Sequence, residues 1–420
     1  MSTEPQGGRY RYVIAGLILA AHLCIGLNVF AVAPVLLVIM DDYEISRTGA
    51  SLLVAVALLA AAVFGLPGGM IAMRLGLKIS FTLAWVSMGL LALSALAPNY
   101  PALLGLRLVF GLGSALILTA TGPLLGAWFR PREVVVMNGL NSAVLSLGIA
   151  VSVGTMVPLA EAAGGWRIAL TIYGGIGVLG TLAWLMLGMA APASDHGMRA
   201  GRDREAGRGA ERISVGQIPS VLFRRPVLLL LAADAGVLVQ YTALTAWLPA
   251  FFTETRGMTM SQAAFLTGSL PFVGIFGALL GGLLPLRVHA PRLFLVAPGI
   301  MVILGGLSSF LLDYTPGTYL GLFLLGLGSW LYVPTLLGMS MSLVNRDPGR
   351  VAIVWGSLIT FSGLAMFAAP IIVGFIRDVS GSFLPGFLIS WAAAWTLLAA
   401  GLLIPIAVPE KEDRDAAAIT

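Results

Sequence analysis

The sequence predicts an all-α polytopic membrane protein with twelve transmembrane helices arranged as two six-helix repeats. Three observations carry that prediction. The 420 residues are 58% hydrophobic and only 10% charged, whereas a soluble domain has about a quarter of its residues charged. The apolar residues arrive in blocks of about 20, the length that crosses a bilayer core as a helix. Several glycines and one proline of the first six blocks also return, in order, in the last six.

The expected spans are 12–36, 48–70, 79–97, 101–123, 134–157, 168–190, 226–250, 262–285, 293–312, 317–343, 351–376 and 384–408. The first has the basic flank, apolar run and Ala31-Val32-Ala33 of a signal peptide, but Pro34 follows at once. The run is also too long for a signal core and carries His22 and Asn28, so it is expected to stay as the first helix. The lone Cys24 gives no disulfide framework and no thiol metal site.

Basic residues orient the chain. With the N-terminus inside, 19 of the 24 Lys and Arg fall on the cytoplasmic side and only Arg47, Arg167, Arg256 and Arg377 outside. Arg107 is left within a helix. That bias predicts a multi-pass protein of the cytoplasmic membrane with both termini inside. It also accounts for the net charge of +5 without nucleic acid as a partner.

The one long polar stretch, 191–225, is rich in Gly, Arg, Asp and Glu and cannot bury a core. It divides the chain into an N-terminal six-helix bundle (1–190), a cytoplasmic linker and a C-terminal bundle (226–420). A repeat appears at an offset of 215 between these bundles. Gly111-Leu112-Gly113-Ser114 returns as Gly326-Leu327-Gly328-Ser329, Pro34 as Pro249, and Gly148 as Gly363. At 213, Gly68-Gly69 and Arg74 return as Gly281-Gly282 and Arg287. Two parallel six-helix repeats suit an alternating-access carrier with a midplane site between the halves.

With these features the chain resembles the major facilitator superfamily of secondary transporters along nearly its whole length. The loop after span 2, Gly69-Met-Ile-Ala-Met-Arg74-Leu-Gly76-Leu-Lys78, is similar to the family's motif A. The resemblance makes Gly69, Arg74, Gly76 and Lys78 a conformational gate. The usual acidic residue before the arginine is Met73 here, and Leu77 replaces a common basic residue, so part of the cytoplasmic latch is absent. Arg107-Leu-Val-Phe-Gly111-Leu-Gly113 resembles motif B, and Gly165-Trp166-Arg167 is another family feature. Span 5 has Gly139 and Gly148 at motif C spacing without the following Gly-Pro, which argues against a typical drug/proton antiporter. Residues 128–133 and 138–141 resemble small-anion and organic-anion carriers, and Trp247-Leu248-Pro249 resembles the cyanate/nitroimidazole permease branch.

Few ionisable residues lie at membrane depth: His22 in span 1, Arg107 in span 4 and Asp234 in span 7. The resemblance implies that these helices, with span 10, line the central cavity. Asp234 is a candidate coupling-proton carrier, because burial pushes a carboxyl toward neutral pH; it is equally a structural partner or a wet-vestibule carboxylate. His22 is the rival proton carrier, with a neutral interior histidine as the plainer alternative. Arg107 offers five donors in a rigid fork, suited to a monoanionic substrate, while the resemblance implies coupling or interior hydrogen bonding. Asn28, Asn141, Gln240, Tyr241, Trp330 and Tyr332 complete the candidate substrate site. Trp247, near a helix end, suits the interfacial aromatic belt.

The small-residue pairs Gly122-x-x-x-Gly126 and Gly277-x-x-x-Gly281 predict close helix contacts. Gly175-x-Gly177-x-x-Gly180 matches a dinucleotide fingerprint but lies in an apolar helix with no strand before it. There is no Walker lysine motif, no His-Glu-x-x-His and no Gly-x-Ser-x-Gly, so no cofactor and no enzymatic centre is expected. The sequence thus predicts a secondary carrier for a small organic anion or weak acid, coupled to protons and acting as a monomer. Efflux of amphipathic drugs by proton antiport is the alternative within transport, and a non-transporting sensor the alternative outside it.

Overall fold

The computed structural model describes residues 8–189, 217–288, 290–313, 315–344 and 348–404, with the backbone alone given for stretches such as 65–73. Among the described residues twelve helices are long and apolar enough to cross a membrane. Span 1 comprises α1 (Tyr10–Val29), a 3-10 turn (Ala33–Val35) and α2 (Leu36–Tyr43). The next five are α3 (Arg47–Leu75), α4 (Leu77–Gly89) with a 3-10 continuation (Leu90–Leu96), α5 (Tyr100–Trp128), α6 (Pro131–Ala163) and α7 (Trp166–Leu187). A short α8 (Gln217–Leu222) precedes α9 (Arg225–Arg256), α10 (Met260–Leu283) and α11 (Leu293–Leu311). Then come α12 (Thr315–Leu331) with α13 (Val333–Leu343), α14 (Pro348–Ser380) and α15 (Leu384–Leu403). Most of the expected linker, 191–216 of 191–225, lies outside the described residues.

Packing repeats with the sequence. In the first six spans α6 and α7 pack on α1, and α3 and α4 pack on α5; in the last six α14 and α15 pack on α9, and α10 and α11 on α12. The halves meet along α3–α14 and α6–α10, two contacts that the same exchange interconverts. The side of the bundle where α1 begins and α15 ends is called the terminal side below, and the opposite side the distal side.

The repeated glycines explain how the helices approach so closely. A methyl group on Gly111 would sit 2.6 Å from the Ala57 carbonyl oxygen on α3, and one on Gly113 would sit 2.7 Å from that of Ala84 on α4. Their counterparts do the same work: Gly326 abuts the Leu270 carbonyl on α10, and Gly328 abuts Pro298 and Met301 on α11. Gly277 and Gly281 likewise abut the Leu327 and Leu331 carbonyls. Gly177 abuts Gly89, which makes the dinucleotide-like pattern a helix contact. Three expectations need correction. Gly122 and Gly126 face open space rather than a helix. Gly148 packs on α1, while Gly363 faces Ala62 across the seam between the halves, so these two are not equivalent contacts. Pro34 breaks its helix, whereas Pro249 sits inside continuous α9.

Local chemistry sets the helix ends. Gly76 starts α4 at φ +83°, a conformation that costs a side-chain-bearing residue free energy and so fits glycine. The Arg130 backbone N–H donates to Glu133 at 2.9 Å at the start of α6. That bond, with Arg11 at 3.0 Å, holds the Glu133 carboxyl below its ordinary range.

Gly148→Val should lower the melting temperature of the detergent-solubilised protein, since its Cβ would lie 2.7 Å from the Leu23 carbonyl oxygen. Overpacking of this kind costs about 1–3 kcal/mol. Gly139→Ala, where nothing lies within 4 Å, should leave melting unchanged. Equal melting of the two variants in size-exclusion thermal assays would contradict the contact.

Candidate substrate and coupling site

Asp234 lies about 13 Å along α9 at about 1.5 Å per residue and is half-buried. Its Oδ1 accepts the Tyr332 hydroxyl at 2.8 Å and its Oδ2 accepts the Ser362 hydroxyl at 2.5 Å. Both donors are buried. Tyr332 reaches Asp234 from the break in span 10. Pro334 has no N–H to continue the helix, so α12 stops at Leu331 and α13 restarts at Val333. Ser362, one residue before Gly363 on α14, was not singled out from sequence. No Lys, Arg or His among the described residues forms an ion pair with Asp234. The carboxylate is therefore held by two neutral hydroxyls.

Arg107 is 1% exposed and fully committed to the protein interior. Its Nε donates to the Leu53 carbonyl at 2.6 Å, Nη1 to the Asn28 carbonyl at 2.5 Å and Nη2 to the Val29 carbonyl at 2.6 Å. Asn28 and Val29 are the last residues of α1, whose carbonyls lose their helical partners where the chain turns into the 3-10 segment. Arg107 thus caps a broken helix from α5 and fastens it to α3. This corrects its expected place in a substrate site; of the two roles foreseen, interior hydrogen bonding is the one the geometry satisfies.

Two further expected site residues point into their own bundles. The Asn28 amide donates to the Cys24 carbonyl at 2.9 Å and to the Tyr173 carbonyl on α7 at 3.2 Å. The Gln240 amide fills the space left by Gly306 on α11, with no hydrogen-bond partner. His22 is 5% exposed and donates from Nδ1 to the Ile18 carbonyl at 2.9 Å. That bond puts the proton of a neutral ring on Nδ1 and leaves Nε2 as the basic nitrogen.

The remaining candidates carry open hydrogen-bonding capacity. Asn141 on α6 is 4% exposed, and neither its amide nitrogen nor its oxygen has a partner. A methyl on Gly26 of α1 would collide with Leu145 of α6. One turn toward the terminal side on these parallel helices are His22 and Asn141, so the two share a level. Tyr241 and Trp330 stand edge to face with ring centroids 5.9 Å apart, and the Trp330 N–H has no partner. Buried groups left open in this way are costly unless something fills them.

The distal end of the seam is closed by charge and by carbonyl sharing. Glu254 at the end of α9 takes Arg47 of α3 at 2.7 Å and Arg377 of α14 at 2.9 Å. Asp378 of α14 accepts the backbone N–H groups of Arg47 and Thr48 at 3.2 and 2.9 Å, and the Thr48 hydroxyl at 2.7 Å. A carboxylate of one half thereby caps a helix N-terminus of the other, where the helix dipole favours negative charge. Below it, the Pro370 carbonyl accepts both the Ser51 hydroxyl and the Trp247 indole N–H at 2.9 Å. Trp247 is fully buried there, which corrects its expected place in the interfacial belt. At the terminal side, Arg74 and Lys78 are exposed, and Gly69 lies where only backbone is described.

Twelve spans in two matched bundles, with an acidic residue at membrane depth and a seam between the halves, define a polytopic helical carrier. Residues 18–370 match the Major Facilitator Superfamily, and the chain belongs to that family. It is 23% identical over 85% of both chains to the hexuronate transporter of Bacillus subtilis (strain 168). It is 25% identical over 77% of both to the probable sulfoacetate transporter SauU of Cupriavidus necator. A D-galactonate transporter of Escherichia coli is 23% identical over 75% of this chain and 77% of its own. Among solved structures, a bacterial homologue of the human lysosomal transporter Spinster, inward-facing and unoccupied, shares the fold. Its TM-score is 0.73 at 16% identity, over 94% of this chain and 95% of that one. The protein is a multi-pass, non-enzymatic membrane transporter.

Two predictions follow from this geometry. Arg107→Lys keeps the charge but cannot span three carbonyls, and hydrogen bonds from a charged donor are each worth about 1.5–3 kcal/mol. Its melting temperature should fall well below wild type; a native value would refute the capping role. Asp378→Ala should speed maleimide labelling of a Ser51→Cys reporter from the distal side several-fold. Unchanged labelling would mean that the seam stays shut without the inter-half cap.

Proposed function

We propose that the protein is a proton-coupled secondary transporter of small organic anions, working by alternating access in the cytoplasmic membrane with both termini inside. The observation that supports the coupling is Asp234, an acidic side chain at membrane depth held by two hydroxyls and, among the described residues, by no cation. Ionised, it accepts both hydroxyls; protonated, it can donate to one of them. Loading a proton therefore requires only a hydroxyl to turn. The half-buried position gives water a route to it.

Sugar acids and a sulfonate are named for the relatives, which supports an organic anion as substrate. With Arg107 spent on carbonyls, such an anion would meet a neutral group, the Asn141 amide, with the Tyr241 and Trp330 rings as its walls. His22 is the remaining group at that depth able to gain positive charge. The substrate site on this reading is Asn141, Tyr241 and Trp330 with His22 beside them, and Tyr332 serves Asp234 rather than substrate. The closed distal seam fits a resting state that faces the terminal, cytoplasmic side.

The test is flux into proteoliposomes of radiolabelled D-galacturonate, D-galactonate and sulfoacetate, with and without an inward proton gradient. At least one anion should enter faster than into empty vesicles, and the gradient should drive its accumulation. Asp234→Asn should abolish accumulation while leaving anion exchange. Gradient-driven uptake that survives in the variant would remove Asp234 from the coupling, and no flux of any anion would remove the substrate class.

A further inference from the structure

The two hydroxyls that hold Asp234 differ in what else they can reach. The Tyr332 hydroxyl stands at the end of a rigid, fully buried ring, and its one hydrogen bond among the described residues goes to Asp234 Oδ1. Turned away from the carboxyl, its O–H would meet no acceptor, and a buried donor left unpaired is costly. Ser362, which donates to Oδ2 at 2.5 Å, is placed differently. It lies within α14, and a serine inside a helix can turn its O–H back to the carbonyl four residues earlier. Helical serines of this protein do so repeatedly. Ser114 donates to the Phe110 carbonyl at 2.9 Å, Ser329 to that of Leu325 at 2.7 Å, and Ser357, on α14 itself, to that of Ile353 at 2.8 Å. The corresponding carbonyl for Ser362 is that of Leu358. Pro370, the proline inside α14, lies two turns further on and leaves this stretch of helix regular. A carbonyl oxygen has two lone pairs, so it can take the helical N–H and a hydroxyl together.

We propose, resting on Asp234 as the coupling carboxyl, that Ser362 is the hydroxyl that turns when the proton loads, while Tyr332 donates to Oδ1 in both states. Ionised, Asp234 accepts from both hydroxyls. On protonation the new O–H on Oδ2 donates to the Ser362 oxygen, and the Ser362 O–H swings to the Leu358 carbonyl. One proton is added, no covalent bond breaks, and every donor stays paired before and after. Ser362 is thus a positioning residue: it steadies the charge in one state and receives the carboxyl hydrogen in the other. Tyr332 is the titratable group in contact with Asp234 among the described residues, and it keeps its own proton throughout. Ser362 also adjoins Gly363, which faces Ala62 of α3 across the seam. The turn therefore takes place on the helix by which the second half bears on the first.

The experiment is infrared difference spectroscopy of the full chain in nanodiscs on acidification. The carboxyl C=O band that is missing from Asp234→Asn belongs to Asp234. A hydrogen bond to a carboxyl C=O lowers its stretching frequency. Tyr332→Phe should therefore raise the band, and Ser362→Ala should leave it in place. The reverse pattern, an equal rise in both variants, or no such band in the wild type would each overturn the assignment. Gradient-driven anion uptake into proteoliposomes is the second readout. Ser362→Ala should lower accumulation several-fold, and Ser362→Thr, which keeps a hydroxyl with the same helical acceptor, should restore most of it. Undiminished accumulation in Ser362→Ala would mean that the loaded carboxyl donates elsewhere, and would remove Ser362. The two ideas fail separately. If no anion moves but the band pattern holds, the turning hydroxyl stands and the coupling falls. Accumulation that needs Asp234, together with the reversed band pattern, sinks only the assignment to Ser362.

Discussion

An interrupted helix in a bilayer exposes carbonyls that no water can satisfy, and Arg107 is what allows α1 to stop at Val29. Its three bonds reach both terminal carbonyls of α1 and one carbonyl of α3. The charge is buried but not wasted, because two of its donors meet the last carbonyls of α1, which the break leaves without helical partners, and the third ties them to α3. Those bonds fix the angle at which the chain leaves α1 through Pro34 toward the distal seam. From that turn α2 runs on to Tyr43, and α3 starts at Arg47 in the seam itself. The position of the closing charges thus depends on a residue buried deep in the first bundle.

The two halves solve the same problem of a broken helix in different ways. In the first, a proline break is capped by a cation from α5, and the charge is consumed by structure. In the second, the break at Tyr332 has no arginine beside it, and the tyrosine hydroxyl turns to Asp234 on α9. Among the described residues Asp234 is held by hydroxyls and by no cation. Repetition supplied the scaffold, and two breaks in non-equivalent spans, 1 and 10, gave one buried charge a capping role and left the other among hydroxyls.

The fold was largely legible, because span length and hydropathy follow from the thickness of the bilayer. The Gly-Leu-Gly repeat was legible too, since close approach of backbones admits no other residue type. What failed was direction around a helix. Gln240 and Asn28 sit on cavity helices by sequence yet turn into their own bundles, and apolar helices give little amphipathic signal to reveal this. Trp247 looked interfacial because its depth along the chain was visible while the facing helix α14 was not. Ser362 carried no signal at all, because one serine among many gains meaning only from the carboxylate opposite it. Arg107 left open two roles that only its partners could separate.

The seam itself is built from contacts that cost little to part. Below the charged end, Gly268 abuts Gly154 and Ala150, Gly363 abuts Ala62, and Gly374 abuts Ser51 and Arg47. Small residues bring backbones together without interlocked side chains, so separation breaks shallow contacts and opens no large cavity. The charges above lie at the distal edge, where water can replace each partner and the ion pairs are individually weak. Asp378 differs, because releasing it strands the first N–H groups of α3 as well as its own charge. It is the contact with most to lose and so the one best placed to set how firmly the distal side stays shut. Glu254, bridging Arg47 and Arg377, then serves to hold those two like charges together while the cap is in place.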